Sequence, residues 1–396
     1  MPGDQHVSGQ LIMARLRQAI GILPAGALGV SLFYHLTREL QEIRGDVYFI
    51  ARTGSPSAKL LTEQHALRIA VGEGTREIEA SDLLKPDLVS CARQGGLPEV
   101  LIVCPNPDQL LGVITDLVQL LEKAYEAGEL EQLLLPIVVL SSNGIYYQRL
   151  RQIFIEKLEE ATLLGRLPDL WPDTMPKIVG RFLRGVTIQT GVREGSGAGA
   201  IYQPGPRGIT RLAGGDQAVR ERCCAILASR GAWVELAVNS SATRLEFDKG
   251  IINLATNLLG QLYAIDDSGR FTPLRVEQIL APEREPEIRK LAAEVFAVGQ
   301  AVRAYAKTDE FEKIYKPLRE TLDLHRSHVP SSLQWVGLRL RTGELAGDLT
   351  PTENWLLEPL IRYARSAGLD QSAEYFEDLK QRLLTKLLKA RERANA

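Results

Sequence analysis

Short, wholly apolar runs alternate with stretches of helical period along the first 150 residues. "AIGILPAGALGVSLFYHLTREL" reads as a strand, a glycine turn and a helix. "DVYFIAR" (46–52), "LIVCPNP" (101–107) and "IVVLSSNG" (137–144) read as further buried strands, the last ending in a polar turn. A helical pattern runs from Pro107 to Leu135. Strands alternating with helices predict an α/β domain with a parallel sheet covered on both faces.

The pattern then changes. Residues 150–180 read as an extra helix and a loop, an insertion. The segment "GVTIQTGVREGSGAGAIYQPGPRGITRLAGG" (185–215) has short β-rich pieces broken by glycine and proline, which predicts antiparallel strands and turns. From Asp216 onward the pattern is mostly helical, with one short strand near "AWVELA". The expected division is therefore an α/β domain over 18–212 and an α-helical domain over 216–396. The last 25 residues form an amphipathic helix rich in Arg and Lys. A packing helix with a solvated face fits that pattern better than a membrane anchor.

Composition narrows the picture. A chain of 396 residues supports two or three domains with a well-buried core. The formal charge of −2 gives no global basic field for nucleic acid. Cys91, Cys104, Cys223 and Cys224 have no zinc or CxxC spacing, as expected of a reducing compartment. His325 with His328 is a weak metal signal. No apolar run reaches the ~18 residues of a membrane span, and the N-terminus has no signal-peptide core. These features predict a cytoplasmic protein without membrane or nucleic-acid partners.

Candidate chemistry lies in two places. A dinucleotide fold places G-x-G-x-x-G between a strand and a helix, for a tight turn and close backbone approach to pyrophosphate. The run here is Pro24-Ala25-Gly26-Ala27-Leu28-Gly29, with proline for the first glycine. Its place after a strand and before a helix supports cofactor binding; plain structural glycines are the other reading. Arg52 stands where sites specific for NAD carry Asp or Glu. A guanidinium there suits the 2′-phosphate of NADPH, although a surface arginine is also compatible.

The second place is "FDKGIINLATNLLGQLY" (247–263). Lys249, Asn253 and Asn257 recur every four residues. Positions four apart on an α-helix drift by only ~40°, so the three side chains form one slanted stripe about 12 Å long. A solvated helix face is the plain reading. Asn is a poor helix former, and glycine inside a helix costs roughly 1 kcal/mol. A floor for a polar ligand accounts for Asn253, Asn257, Gly250 and Gly260 together.

At this point about residues 18–368 resemble the ketopantoate reductases (2-dehydropantoate 2-reductases). The resemblance rests on "PAGALG" with Arg52, "SSNG" (141–144), "DKGIINLATN" and "VPSSLQWVGLRLRTGELAGDLTPTENWLLEPLIRYARSAGL" (329–369). It implies a Rossmann-type NADP-binding domain followed by a helical catalytic domain, in a monomer or homodimer. It implies that a small 2-keto acid is reduced to the 2-hydroxy acid, with Lys249 as general acid. Glu353 would hold the substrate hydroxyl and orient the lysine. Asn253, Asn257 and Ser331 or Ser332 would contact substrate oxygens. Gly26, Ala27, Leu28 and Gly29, after Pro24 and Ala25, would offer backbone to pyrophosphate, and Asn143 would stand where cofactor meets substrate. By spacing alone, Glu353 also suits a first helical turn, and Ser331 or Ser332 a helix N-cap after Pro330.

The chain departs from that pattern in three places. Pro24 replaces a glycine, Asn106 or a neighbour stands where the family usually has a lysine, and Trp355 follows "TEN". These departures keep two alternatives open: a nucleotide-binding regulatory or scaffold protein that has lost turnover, and a related dehydrogenase acting on another substrate.

Overall fold

A computed structural model describes residues 17–395 apart from 44, 53–54, 95, 130–132, 164–177, 196–198 and 324. The N-terminal segment and residues 164–177 of the 150–180 insertion thus lie outside the described residues. The chain divides into two units: one comprises residues 1–105, 109–142 and 147–242, the other 106–108, 143–146 and 243–396.

The first unit is built on an eight-stranded sheet. Its strands are β1 (Arg17–Leu23), β2 (Val47–Ile50), β5 (Leu84–Lys85), β6 (Pro98–Val103), β7 (Ile137–Leu140), β8 (Phe182–Thr187), β11 (Thr210–Ala213) and β12 (Val234–Leu236). The order is β12-β11-β8-β7-β6-β1-β2-β5. All neighbours are parallel except β8 and β11. Central strands buried on both faces need continuous apolar sequence. "VLIV" in β6 and "IVVL" in β7 provide it, with every one of these residues buried. The order reverses at β1, which pairs with β2 on one side and β6 on the other. Such a switch point opens a crevice at the carboxyl ends of the strands. The unit is therefore a Rossmann-type α/β fold.

Four further strands form a smaller sheet: β3 (Ala66–Val71), β4 (Gly74–Glu79), β9 (Gly191–Glu194) and β10 (Ile201–Pro204), in the order β4-β3-β10-β9. The glycine-rich segment thus serves two sheets. β9 and β10 form an antiparallel pair, while β8 runs parallel to β7 and antiparallel to β11.

The helices of this unit are α1 (Ala27–Leu36), α2 (Pro56–Gln64), α3 (Ala80–Leu83), α4 (Leu88–Arg93), α5 (Leu110–Glu126), α6 (Tyr147–Glu160) and α7 (Gln217–Ser229). The helix expected from Pro107 to Leu135 stops at Glu126, because Gly128 takes left-handed backbone at φ +71°. α7 and β12 extend this unit rather than opening the second.

The second unit is helical. It contains α8 (Ala242–Asn253), a π-helical stretch (Leu254–Leu258) and α9 (Leu259–Ala264), one continuous helical run. Around it lie α10 (Val276–Ile279), α11 (Glu285–Ala301), α12 (Phe311–Asp323), α13 (Ser331–Arg341), α14 (Pro351–Ser366) and α15 (Asp370–Asn395). The π stretch packs against α11, α13 and α14. Leu254, Leu258, Leu259, Val295, Leu357 and Phe376 share its core. α15 buries Phe376, Leu379, Leu383 and Leu387, so its apolar stripe is covered by its own unit. Among the described residues no helix is long and apolar enough to cross a membrane.

Candidate functional site

In the first unit, the turn after β1 passes through Pro24 and Ala25 to Gly26, the N-cap of α1. No side chain caps the helix, and its first turn carries no acidic residue. The first N–H groups of a helix have no partner within it and attract anions. The Tyr202 hydroxyl of β10 donates to the Ala25 carbonyl at 3.2 Å and ties the turn to the small sheet. Ser31 of α1 likewise donates to the Thr190 carbonyl at 2.6 Å.

The two glycines of the turn have different jobs. A Cβ on Gly29 would lie 2.1 Å from the Pro24 carbonyl oxygen, so only glycine lets α1 pack this close to the strand. A Cβ on Gly26 would meet only the Pro24 ring, at 3.8 Å. Among the described residues nothing requires a glycine there; a ligand approaching the backbone would. Gly29→Ala is therefore expected to destabilise the protein by about 3 kcal/mol, the upper range for overpacking. Gly26→Ala should leave stability unchanged and weaken an anionic ligand. Urea titration and ligand binding on both variants check the contrast.

Arg52 follows β2 and lies, with Leu23, on a cavity of about 240 Å³. The carboxyl end of β7 is fixed by Arg184, which is 1 % exposed. Its guanidinium donates to the carbonyls of Leu140 at 2.6 Å and Ser142 at 2.8 Å.

In the second unit, Asn253 and Asn257 are 4 % and 5 % exposed, which removes the reading of a solvated helix face. The π stretch begins directly after Asn253 and contains Asn257. A π turn takes more residues than an α turn, so it reduces the drift that separates side chains four apart. Single π turns are frequent at functional sites. Gly260 faces apolar neighbours instead: a Cβ would lie 2.8 Å from Ile279 and 3.0 Å from Leu333. It serves helix packing, not the polar stripe.

The stripe meets a buried carboxyl. Glu353, in the first turn of α14, is 0 % exposed. The Ser332 hydroxyl donates to its Oε1 at 2.5 Å, and the Ser332 N–H donates to Asn257 Oδ1 at 3.3 Å. Gln261, one turn beyond Asn257, is also 0 % exposed and donates through Nε2 to the Asn257 carbonyl at 3.1 Å. Burial pushes the Glu353 carboxyl up to about 7, against the downward pull of hydrogen bonds from Ser332, its own N–H and Gln261. Four buried atoms here have no hydrogen-bond partner among the described residues: Asn253 Nδ2, Gln261 Oε1, Glu353 Oε2 and Thr350 Oγ1. Buried polar atoms are nearly always satisfied. Four exceptions carried by neighbouring turns point to a polar ligand or bound water.

Lys249 is half-buried on α8, one turn before Asn253. Burial and the Lys249 charge hold the His325 imidazole below its ordinary value. Burial, His325 and Lys249 do the same to His328. The histidines thus belong with the lysine. Among the described residues no group of three or more His, Cys, Asp or Glu is placed to hold a metal ion.

The structure sorts the other candidates. Ser332 joins the cluster, but its hydroxyl and N–H both donate within the protein, so neither is available to a substrate carboxylate in this arrangement. Ser331 is exposed and outside the cluster. Neither serine caps α13; the N-cap is Pro330. Asn106 is exposed and Asn143 half-buried, both in segments assigned to the second unit. Beyond Asn143, the Ile145 N–H donates to the Trp355 carbonyl at 3.1 Å, and Tyr146 meets the Trp355 indole edge-on at 6.3 Å. Gln261 escaped the sequence reading, although it continues the spacing of Lys249, Asn253 and Asn257 by one more step of four.

No family model matches the chain. No curated protein matches it either. Solved structures do. D-mandelate dehydrogenase, solved with NADH and anilino(oxo)acetate, aligns with TM-score 0.65 at 16% identity, covering 96% of this chain and 100% of that one. The ketopantoate reductase of Ralstonia eutropha JMP134 aligns with TM-score 0.59 at 16% identity, covering 93% and 99%. The 2-dehydropantoate 2-reductase of Geobacter metallireducens GS-15 aligns with TM-score 0.58 at 17% identity, covering 92% and 98%. At such identities the likeness is one of fold, and it extends over nearly the whole chain.

Proposed function

We propose that the chain reduces a small, ketopantoate-like 2-keto acid to the 2-hydroxy acid, using a nicotinamide dinucleotide. The observation that carries this reading is the buried polar cluster around Glu353, which includes Asn253, Asn257 and Gln261 of the helical run that carries Lys249, in a chain with the fold of 2-hydroxy acid dehydrogenases. The uncapped start of α1 and the open space at Gly26 fit a pyrophosphate. Arg52, on the neighbouring cavity, supplies a cation for the 2′-phosphate of NADPH, so the phosphorylated cofactor is among those this site accepts.

Nicotinamide, when bound, supplies hydride to the carbonyl carbon. The remaining work falls to this chain's residues. Reduction builds negative charge on the carbonyl oxygen, and the Lys249 ammonium stabilises that charge and donates the proton. Asn253 offers an unpaired amide N–H pair to a substrate oxygen. Glu353, close to half-protonated at neutral pH, accepts from or donates to the substrate hydroxyl through its unpaired Oε2. Ser332 and Gln261 hold that carboxyl in place.

Loss of reduced-nicotinamide absorbance with a panel of branched and aryl 2-keto acids tests the proposal. The aryl members are included because D-mandelate dehydrogenase, of similar fold, was solved with anilino(oxo)acetate. Turnover with at least one member is expected. A dinucleotide that binds without any turnover across the panel would instead favour a non-catalytic nucleotide-binding protein.

A further inference from the structure

The end of β2 carries a feature that cofactor recognition by Arg52 alone does not explain. The Arg52 Nε donates to Asp116 Oδ2 at 2.6 Å. The guanidinium reaches α5 at Gly112, with Nη2 approaching closest. A Cβ there would sit 1.6 Å from Nη2 and 2.4 Å from Cζ, so no other residue admits the arginine in this position. Gly112 and Asp116 are one helical turn apart and share a face. A glycine inside a helix costs roughly 1 kcal/mol against alanine. Together the two residues form a seat for one guanidinium. Asp87 of the same cavity adds a second carboxylate close enough to act on Asp116, and two further cations, Arg93 and Lys123, also line the wall. Lys123 is itself paired with Glu126 at 2.7 Å.

The charges decide which dinucleotide fits. A guanidinium at the end of this strand favours a 2′-phosphate, and a carboxylate favours free ribose hydroxyls and repels phosphate. Here both stand on the same cavity, in contact, so the cation's field is largely cancelled. We propose that Asp116 is a specificity-determining residue: by seating Arg52 on Gly112 it removes the preference for the phosphorylated cofactor, so that NADH and NADPH bind comparably. This rests on the dinucleotide reading above.

The test is equilibrium binding of NADPH and NADH, followed by tryptophan fluorescence, to the wild type and to Asp116→Asn and Arg52→Gln. Asp116→Asn keeps the shape and removes the charge. It should raise the NADPH-over-NADH affinity ratio by about tenfold, the effect of one partly screened charge at close range. Arg52→Gln should move the ratio the opposite way by a similar factor. Both shifts should shrink in high salt. If the wild type binds both cofactors but the ratio stays put in Asp116→Asn, the inference is overturned and the reductase reading survives. Strong discrimination by the wild type, a hundredfold or more, overturns it too. If the wild type binds neither dinucleotide, the reductase reading falls first and takes the inference with it.

Discussion

Replacing Lys249 with methionine is expected to lower kcat by about 10³-fold, within the range for loss of a positioned general acid, while dinucleotide affinity stays unchanged. Methionine keeps an unbranched stem and a comparable helix propensity, so α8 should persist. On the proposed reading, what is lost is the ammonium, which would make its strongest interaction with the substrate oxygen only as charge develops there. A readout independent of turnover accompanies this. The Lys249 charge helps to hold His325 and His328 below their ordinary values. Removing it should raise both imidazole pKa values, which NMR titration of the two histidines measures. A variant with wild-type kcat would exclude Lys249 as the proton donor. Unmoved histidines would show that its charge does not face them.

How much of this was legible in the sequence depended on which interactions were local. The continuous apolar runs of β6 and β7 could only be central strands, and the glycine spacing at Gly26 and Gly29 announced a strand–turn–helix. The Rossmann-type unit followed from these. The β3–β4 hairpin was not foreseen, though its two-residue turn at Gly72-Glu73, with Gly72 at φ +59°, carries a hairpin signal. The end of α5 was overrun because "EQLLL" continues an apolar pattern after Gly128 has already turned the backbone. In the second unit, the four-residue stripe was visible because a helix makes sequence spacing into geometry. The π stretch was not, since it is a shift in hydrogen bonding that no residue type dictates. The Ser332–Glu353 bond joins residues 21 apart, and nothing local distinguishes Ser332 from Ser331. The seat for Arg52 is the same kind of case: Gly112 and Asp116 read as unremarkable until the strand 64 residues upstream of Asp116 delivers its arginine.

Glu353→Gln is expected to move stability and activity in opposite directions. The carboxyl titrates near 7 in the folded protein, against an ordinary value of 4.5. Between those values the folded state holds a proton that the unfolded chain has released. Stability therefore falls as pH rises through that window. The contribution is fully present below 4.5 and lost above about 7, and for a fully buried group it amounts to about 3 kcal/mol. Glutamine cannot ionise. Its oxygen still accepts from Ser332, and its amide nitrogen takes the place of the unpaired Oε2 and adds a donor where the buried Gln261 Oε1 lacks one. At pH 8 the variant should thus be more stable than the wild type, and at pH 4 the two should coincide. On the proposed reading activity should fall by about 10²-fold, because an amide neither takes up nor releases the proton that the substrate hydroxyl would exchange with this carboxyl. Such an opposition marks a residue kept for chemistry at the expense of stability. Denaturant titrations across this pH range decide the matter: an unchanged pH slope in the variant would mean that Glu353 is already ionised in the folded protein, and its role as a proton-bearing group would fall.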